Sequence, residues 1–233
     1  MTSTAAPYAG QAVPNVRPRL TATIIVLAVV LANVAFVGLG SVFNYPDVLQ
    51  DPAKSIISDF KEDQASIVVL FIILAVSSAL LAPIAIALGR LANNDLGRKS
   101  MWVGIAAAVV QVVGLSRWPL IVPFVAHEDD PGAFKAVHTA LGTIVGETCG
   151  YALTAAWTVL ICRALIRRLG GPILAYAGYA AAALIAIGVL VPLDVPGADF
   201  ANFIGYVVWS IWLLVVAGFV WRRSRLVDTP LRA

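Results

Sequence analysis

Six long apolar segments, separated by short polar ones, run through the chain from residue 20 to residue 221. Each is long enough to cross a hydrocarbon layer about 30 Å thick as an α-helix, which takes about 20 residues. The pattern therefore predicts an all-α fold, a polytopic membrane bundle of six transmembrane helices. The predicted spans are residues 20–43, 66–90, 101–126, 137–162, 172–193 and 200–221.

The two ends of the chain lack this long apolar character. Residues 1–19 are polar and contain prolines, and residues 222–233 are a short segment that begins with arginines. We predict one transmembrane domain, 20–221, between an N-terminal tail, 1–19, and a C-terminal tail, 222–233. The apolar run after residue 19 is too long for the core of a signal peptide, so we expect the first span to be retained as a membrane anchor.

Composition excludes a soluble domain. Of the 233 residues, 60% are hydrophobic and 12% are charged, and the mean hydropathy is +0.89. Soluble domains average about 45–50% apolar and about 25% charged residues. We therefore expect a multi-pass protein of the cell membrane, with membrane lipids as its immediate partners.

The charged residues are sorted between the two ends of the predicted bundle. If the spans alternate in direction, the loops rich in arginine fall at one end and the acidic loops at the other. By the positive-inside rule the basic end, with both termini, is expected to face the cytoplasm. These loop arginines explain the net charge of +3, so we predict no nucleic-acid partner. The basic residues are Arg17, Arg19, Arg90, Arg98, Lys99, Arg163, Arg167, Arg168, Arg222, Arg223 and Arg225, and the acidic ones are Asp47, Asp51, Asp59, Glu62, Asp63, Glu128, Asp129, Asp130, Asp194 and Asp199.

The first acidic loop, "FNYPDVLQDPAKSIISDFKEDQ", is long enough to hold a short helix. Ile56, Ile57 and Phe60 would form one apolar side of that helix. One interpretation is an interfacial helix that lies on the bilayer surface. The other is a lid over a cavity that opens at the acidic end.

Two charged residues fall inside the predicted spans, where ionisable groups are rare and are functional candidates by default. Arg117 lies 18 residues from Lys99, and Glu147 lies 16 residues from Arg163, which places both roughly 25 Å from the basic end at about 1.5 Å per residue. Consecutive spans joined by a short loop are antiparallel neighbours, which makes an Arg117–Glu147 ion pair geometrically feasible, and the sequence leaves open whether the two residues pair or line an open cavity. Such a pair either fixes the register of two helices or belongs to a functional site, and the sequence leaves both open.

Polar residues recur at helical spacing around Glu147 and again in the last span. Such stripes must face protein or water, because unpaired polar groups cost several kcal/mol in hydrocarbon. The stripes are Thr143, Glu147, Tyr151, Thr154 and Thr158 in the fourth span and Asn202, Tyr206 and Ser210 in the sixth. In "SRWPLIVP", two prolines free backbone carbonyls beside Arg117, which would add to a polar pocket opening outward. Our candidate ligand-binding residues are Arg117, Glu147, Tyr151, Thr154, Asn202 and Tyr206, with Glu147 as the one catalytic candidate.

Three glycines recur every four residues beside Glu147, at Gly142, Gly146 and Gly150. Small residues at this spacing let two helices approach closely. We therefore predict a packing groove on the fourth span. The alternative to helix packing at these glycines is the close approach of a ligand, and the same three glycines are our candidate contact surface for a homo-oligomer.

The sequence favours neither a metal site nor a cofactor. His127 and His138 lie near Glu128, Asp129 and Asp130, but without the i, i+4 spacing of a helical metal site, and we interpret them as solvated surface groups. Cys149 and Cys162 are thirteen positions apart in one predicted helix, about 20 Å at the usual rise, and cannot pair. No GxSxG, Walker, HExxH or CxxC pattern occurs. We predict no metal and no cofactor.

Four segments together resemble the DUF4386-type family of small bacterial integral membrane proteins. They are "FNYPDVLQDPA", "GLSRWPLIVP", "GETCGYALTAAWT" and "NFIGYVVWSIW", and they extend from the first span to the last. The resemblance implies a helical membrane protein of six or seven spans whose function is not established. It carries over no catalytic residue.

Three hypotheses about function follow. The first is a non-enzymatic membrane module, such as a sensor, accessory subunit or regulator, whose polar core mainly fixes packing. The second is a transporter or binding protein for a small solute, with a pocket around the candidate residues. The third is an intramembrane enzyme that acts on a lipid or isoprenoid, with Glu147 as general acid or base. The sequence does not decide whether the protein is an enzyme.

Overall fold

The chain forms six helical segments that are long and apolar enough to cross a membrane. The computed structural model describes residues 17–227, with side chains for residues 17–223. The predicted tails lie outside the described residues, except that the first helix begins at Pro18 and the last continues to Val227. Spans 1 to 6 are Pro18–Phe43, Gln64–Ala92, Asp95–His127, Pro131–Leu169, Gly171–Leu193 and Ala198–Arg223. The predicted all-α bundle of six spans is confirmed for this part of the chain.

Most spans are assembled from shorter helices. Span 2 joins Gln64–Ala79 to Leu81–Ala92, span 3 joins Asp95–Leu120 to Val122–His127, and span 5 ends in the 3₁₀ turn Gly188–Leu193. Span 4 combines the α-helices Pro131–Val137, Gly150–Ile161 and Arg167–Leu169 with the π-helices His138–Cys149 and Cys162–Ile166. The loop after span 1 holds the 3₁₀ turn Asp47–Gln50 and the helix Ala53–Glu62.

Prolines and capping residues explain where these helices begin and break. Span 3 starts at the Asn94 cap, whose side chain accepts a hydrogen bond of 2.8 Å from the backbone N–H of Gly97. Its break at Ile121 lies between Pro119 and Pro123. Proline removes a backbone donor and clashes with the preceding turn, so two prolines four residues apart interrupt the helix there.

The six spans form a ring in chain order. Each span packs on the next, and span 6 closes the ring by packing on span 1. A buried hydroxyl joins the first two spans, since Ser77 donates to the backbone carbonyl of Ala28 at 2.9 Å. Because each span packs on the next, spans 3 and 4 are direct neighbours, as an Arg117–Glu147 pair requires.

The outside of the ring is apolar, as expected for a surface in contact with lipid. Large hydrophobic side chains project from several spans without protein cover, whereas a soluble protein exposes few contiguous apolar surfaces. Examples are Val34, Val37, Val69, Trp102, Val109, Ile173 and Ile211. The chain is therefore a multi-pass membrane protein. Which end faces the cytoplasm stays a prediction.

The interior contains two main apolar clusters, one toward each end of the bundle. The cluster near the arginine-rich end draws on all six spans and surrounds Trp157. The cluster near the acidic end is aromatic and is centred on Trp118, which stacks on Phe71 with ring centroids 4.7 Å apart. We call this second group the outer aromatic cluster; its other aromatic members are Phe43, Phe60 and Phe134.

The loop helix Ala53–Glu62 lies over the outer aromatic cluster. Ile56, Ile57 and Phe60 are at most 2% exposed and pack inside the protein. This apolar side is therefore not available to the bilayer, and the interfacial interpretation of the helix is wrong. Outside the core, Lys61 pairs with Asp129 of the loop between spans 3 and 4 at 2.9 Å. The helix covers the acidic end of the bundle.

Candidate functional site

Arg117 lies inside the bundle, one residue before the centre of the outer aromatic cluster. Its side chain is only 3% exposed. The Nη1 atom donates a hydrogen bond of 2.7 Å to the backbone carbonyl of Gly114, and Cζ lies 5.3 Å from the ring centroid of Trp118. Burial of a guanidinium in a membrane protein requires such partners, because an isolated charge is costly there.

Glu147 faces Arg117 across the interface of spans 3 and 4. Its Oε1 atom lies 3.9 Å from Nη2 of Arg117, and its side chain is 19% exposed. The ion pair is present, but the distance is too long for a hydrogen bond. Among the described residues, neither Oε1 of Glu147 nor Nε of Arg117 has a hydrogen-bond partner. The pair is electrostatic and leaves one buried donor and one buried acceptor unused.

The three glycines of span 4 all face span 3 of the same chain. A Cβ at Gly142 would lie 2.7 Å from Cζ of Arg117, one at Gly146 would lie 3.0 Å from Cα of Gly114, and one at Gly150 would lie 3.1 Å from Cγ of Gln111. The predicted packing groove is therefore filled within the chain. A homo-oligomer stays a prediction, and this surface does not support it.

The π-helix His138–Cys149 determines which residues of span 4 face Arg117. A π-helix closes i→i+5 hydrogen bonds, so its turns take roughly four to five residues instead of 3.6. Residues nine positions apart, such as His138 and Glu147, then lie on the same face, whereas in an α-helix they would lie on opposite faces. The side chain of Thr148 follows the same geometry and donates to the carbonyl of Thr143, five residues earlier, at 2.8 Å.

His138 is a member of the site that sequence reasoning missed. Its Nδ1 lies 3.5 Å from Nη2 of Arg117, and its ring stacks on Phe134 with centroids 5.7 Å apart. To accept from the guanidinium, the imidazole must carry its proton on Nε2. The interpretation of His138 as a solvated surface group is wrong. With α-helical spacing throughout span 4, His138 would lie on the side away from Glu147.

Tyr45 is a second member that the sequence did not indicate. It comes from the loop after span 1, and its ring packs edge-on against Phe71 with centroids 5.3 Å apart. Burial and, to a smaller extent, the negative charge of Glu147 raise the pKa of the Tyr45 phenol to about 12, while the charge of Arg117 acts in the opposite direction. The phenol is therefore neutral at ordinary pH. No residue spacing could have shown that this loop returns to the buried pair.

Tyr151, Thr154 and Tyr206 form a second polar group next to the ion pair. The rings of Tyr151 and Tyr206 meet with centroids 5.9 Å apart. The amide of Gln111 donates to Oγ1 of Thr154 at 2.7 Å, and the Tyr206 hydroxyl interacts with the same threonine. Three of the candidate ligand-binding residues therefore lie together, on spans 4 and 6, with span 3 supplying the amide.

Asn202 has a different environment from the other candidates. Its amide donates to the backbone carbonyl of Ile185 in span 5 at 2.8 Å. Gly188 makes room for this side chain, because a Cβ there would collide with both Asn202 and Tyr151. Asn202 thus joins spans 5 and 6 by a hydrogen bond that uses one of its two amide hydrogens.

The described residues do not contain a group of three or more His, Cys, Asp or Glu side chains that could hold a metal ion. Both cysteines are free, Cys149 exposed and Cys162 buried. The chemical groups that the structure brings together at the site are a guanidinium, a carboxylate, an imidazole and the three phenols of Tyr45, Tyr151 and Tyr206. Such a set can hold a polar group or a proton, and it includes no strong nucleophile.

The sequence from span 1 into span 6 matches one known family. Residues 20–217 match the sequence profile of DUF4386, described as a domain of unknown function. The chain belongs to the DUF4386 family. No curated protein and no solved structure matches it. The description of DUF4386 assigns no activity, so an argument about function must rest on the geometry of the buried cluster.

Proposed function

We propose that this DUF4386 protein is a non-enzymatic module of the cell membrane, a sensor, accessory subunit or regulator, with its arginine-rich end in the cytoplasm. The observation that carries the proposal is the burial of Arg117, at 3% exposed, against Glu147 at 3.9 Å. The pair joins spans 3 and 4 in the half of the bundle that the loop helix covers. Its role in this proposal is to fix how these two spans pack.

The surroundings of the pair support a closed core. Trp118, Phe60 and Phe134 are at most 2% exposed, and all three belong to the outer aromatic cluster, whose Trp118 ring lies against the guanidinium. Phe60 belongs to the loop helix and contacts Trp118 with ring centroids 5.9 Å apart. A transport path or an active site needs a way in, and this aromatic layer covers the acidic end instead.

The proposal is tested by a double-mutant cycle on Arg117 and Glu147. Each single change, R117L or E147L, leaves one buried charge without its partner, and breaking a buried pair in this way typically costs about 3–5 kcal/mol. The double variant R117L/E147L removes both charges, and we expect its unfolding temperature to return close to that of the wild type. Thermal unfolding of the purified proteins in one detergent gives all four values.

Single variants as stable as the wild type would contradict the closed core, since they would mean that water solvates the remaining charge. A second measurement addresses catalysis directly. Membranes that contain the wild type or E147Q should have the same lipid and isoprenoid composition by mass spectrometry. A lipid product that disappears with E147Q would overturn the non-enzymatic proposal.

A second candidate function, binding of a small polar solute, is favoured by one specific observation. Nε of Arg117 and Oε1 of Glu147 lack hydrogen-bond partners in the described structure, and leaving a buried polar group unsatisfied costs about 1–3 kcal/mol. A solute with both an acceptor and a donor would satisfy both atoms. Uptake of labelled small zwitterions and anions into proteoliposomes, compared between wild type and E147Q, tests this candidate. Uptake that does not respond to the substitution would remove its support.

The third hypothesis, an enzyme acting on a lipid or isoprenoid, stays a prediction. The closest charged neighbour of the candidate carboxylate is a guanidinium of the same chain. No observation on the site favours a reaction over packing or binding.

A further inference from the structure

A groove opens at the arginine-rich end of the bundle, far from the Arg117–Glu147 pair. It has a volume of about 530 Å³ and lies between the ends of spans 2, 4 and 6. Its lining comprises Leu91 and Ala92 of span 2, Ala164, Leu165, Arg168 and Leu169 of span 4, and Phe219, Arg222 and Arg223 of span 6. Three spans distant in sequence thus build one concave surface.

Three arginines contribute positive charge to this groove. Arg168, Arg222 and Arg223 are exposed, and none forms an ion pair with a carboxylate in the part of the chain that the structure describes. By contrast, Arg98 at the same end is paired with Asp95 at 2.8 Å. The groove therefore offers guanidinium groups to an anion from outside the protein.

The rest of the groove is apolar and continues the hydrophobic interior. Leu165 is 4% exposed and belongs to the core cluster, and Leu91, Leu169 and Phe219 are partly buried against that cluster. A soluble anion gains nothing from such a lining. A molecule with a phosphate head and hydrocarbon chains matches both parts of the surface, because guanidinium groups bind phosphate through paired hydrogen bonds and the apolar lining accepts the chains.

We infer that this groove binds the head group of an anionic phospholipid, with the phosphate at Arg168, Arg222 and Arg223 and the first acyl carbons against Leu91, Leu169 and Phe219. Basic pockets between transmembrane helices are known to hold anionic head groups. The site is independent of the ion pair between spans 3 and 4. It would join the ends of spans 2, 4 and 6 through a lipid rather than through side chains alone.

The test compares two triple variants of the full-length protein. R168Q/R222Q/R223Q removes the groove arginines. R90Q/R163Q/R167Q removes three other exposed arginines at the same end that do not line the groove. The two triple variants therefore have the same net charge. The probes are phosphatidylglycerol, phosphatidylcholine with the same acyl chains, and inorganic phosphate. Native mass spectrometry counts bound lipid, and thermal unfolding in a neutral detergent measures the stabilisation by each probe.

We expect phosphatidylglycerol to bind the wild type and the control variant with equal affinity. Each groove arginine replaced should weaken binding about fivefold, so the single variants R168Q and R222Q report on the site even if the triple variant does not fold. Phosphatidylcholine and inorganic phosphate should bind much more weakly. An equal loss in the control variant would overturn the site in favour of general surface charge. Equal stabilisation by inorganic phosphate or by phosphatidylcholine would overturn an anionic lipid as the occupant.

Discussion

The guanidinium of Arg117 lies directly against the backbone of Gly142. A Cβ at Gly142 would be 2.7 Å from Cζ and 2.8 Å from Nη2 of that arginine. The glycine thus makes the space into which the charged side chain folds, and from there Arg117 reaches Glu147 and His138. The glycine repeat therefore has two roles. It lets spans 3 and 4 pack closely, and at Gly142 it makes room for the Arg117 side chain of the buried ion pair.

Replacing Gly142 by alanine should therefore destabilise the protein. The added methyl group displaces the guanidinium, and overpacking of this kind typically costs about 1–3 kcal/mol. Gly218 provides a matched control, because a Cβ there meets no atom within 4 Å, and an alanine in a helix is favoured over glycine by up to about 1 kcal/mol. Thermal unfolding of G142A and G218A gives the comparison. Equal effects of the two substitutions would mean that the guanidinium moves aside freely.

We expect loss of the Thr158 hydroxyl to lower the free energy of unfolding. It accepts a hydrogen bond of 2.8 Å from Nε1 of Trp209 in span 6 and donates one of 2.8 Å to the carbonyl of Thr154. The isosteric change T158V leaves the indole donor unsatisfied, at a cost of about 1–3 kcal/mol in unfolding free energy. T23V is the control, since Thr23 is exposed and bonds only to its own helix.

Adding W209F to T158V should recover part of that loss, because the unsatisfied donor is then removed as well. The recovery is read from a double-mutant cycle on thermal unfolding. Strictly additive effects of the two changes would show that the indole finds another acceptor.

The buried phenol of Tyr45 predicts a loss of stability at alkaline pH. A tyrosine in the unfolded chain ionises near pH 10, whereas burial and the charge of Glu147 raise the pKa of Tyr45 in the folded protein to about 12. The folded state therefore binds more protons in this window, and stability must fall as pH rises through it. Below about pH 10 this contribution is fully present. The Y45F variant should lose less stability than the wild type between about pH 10 and 12, and identical pH profiles would contradict the assignment.

The contact of Lys61 with Asp129 should restrain the loop helix at neutral pH and release it at acidic pH. The hydrogen bond and the charge of Lys61 hold the pKa of the Asp129 carboxyl below its usual range. The contact is therefore complete above the ordinary aspartate pKa of about 3.9 and is lost as pH falls through the lower value in the folded protein. Hydrogen exchange of Ala53–Glu62, corrected for intrinsic rates, should be faster in K61Q than in the wild type at neutral pH.

The difference between K61Q and the wild type should disappear once Asp129 is protonated. K135Q is the matched control, because Lys135 is an exposed lysine at the same end and forms no ion pair with the described residues. A similar acceleration in K135Q would indicate a general charge effect instead of this one contact.

Several features of the fold follow from local pattern and chain order. The six spans were predictable because a backbone in hydrocarbon must satisfy its own hydrogen bonds, so an apolar run of sufficient length can only be a helix. The proximity of Arg117 and Glu147 was predictable because consecutive spans are neighbours and residue counts fix depth. The stripe of Gly142, Gly146 and Gly150 was recognised as a packing surface because small residues four positions apart let helices approach closely, but the sequence did not show that span 3 fills it.

The rest of the site depends on geometry that spacing does not show. His138 joins Arg117 only because span 4 forms π-helical turns, which rotate it onto the face of Glu147. Tyr45 reaches the pair from a loop that folds back over the bundle end, and the same folding buries Ile56 and Phe60 against Trp118 instead of in lipid.

By itself the sequence determined the class of protein, the number of spans, the two ends of opposite charge and the similar depth of Arg117 and Glu147, since each depends on composition or on distance along one helix. The tertiary structure alone decided which side chains surround that pair, what fills the glycine groove, and that Arg168 of span 4 shares a groove with Arg222 and Arg223 of span 6. The physical reason is that these contacts join helices far apart in the chain, where the turn geometry and packing of every intervening span set the final positions.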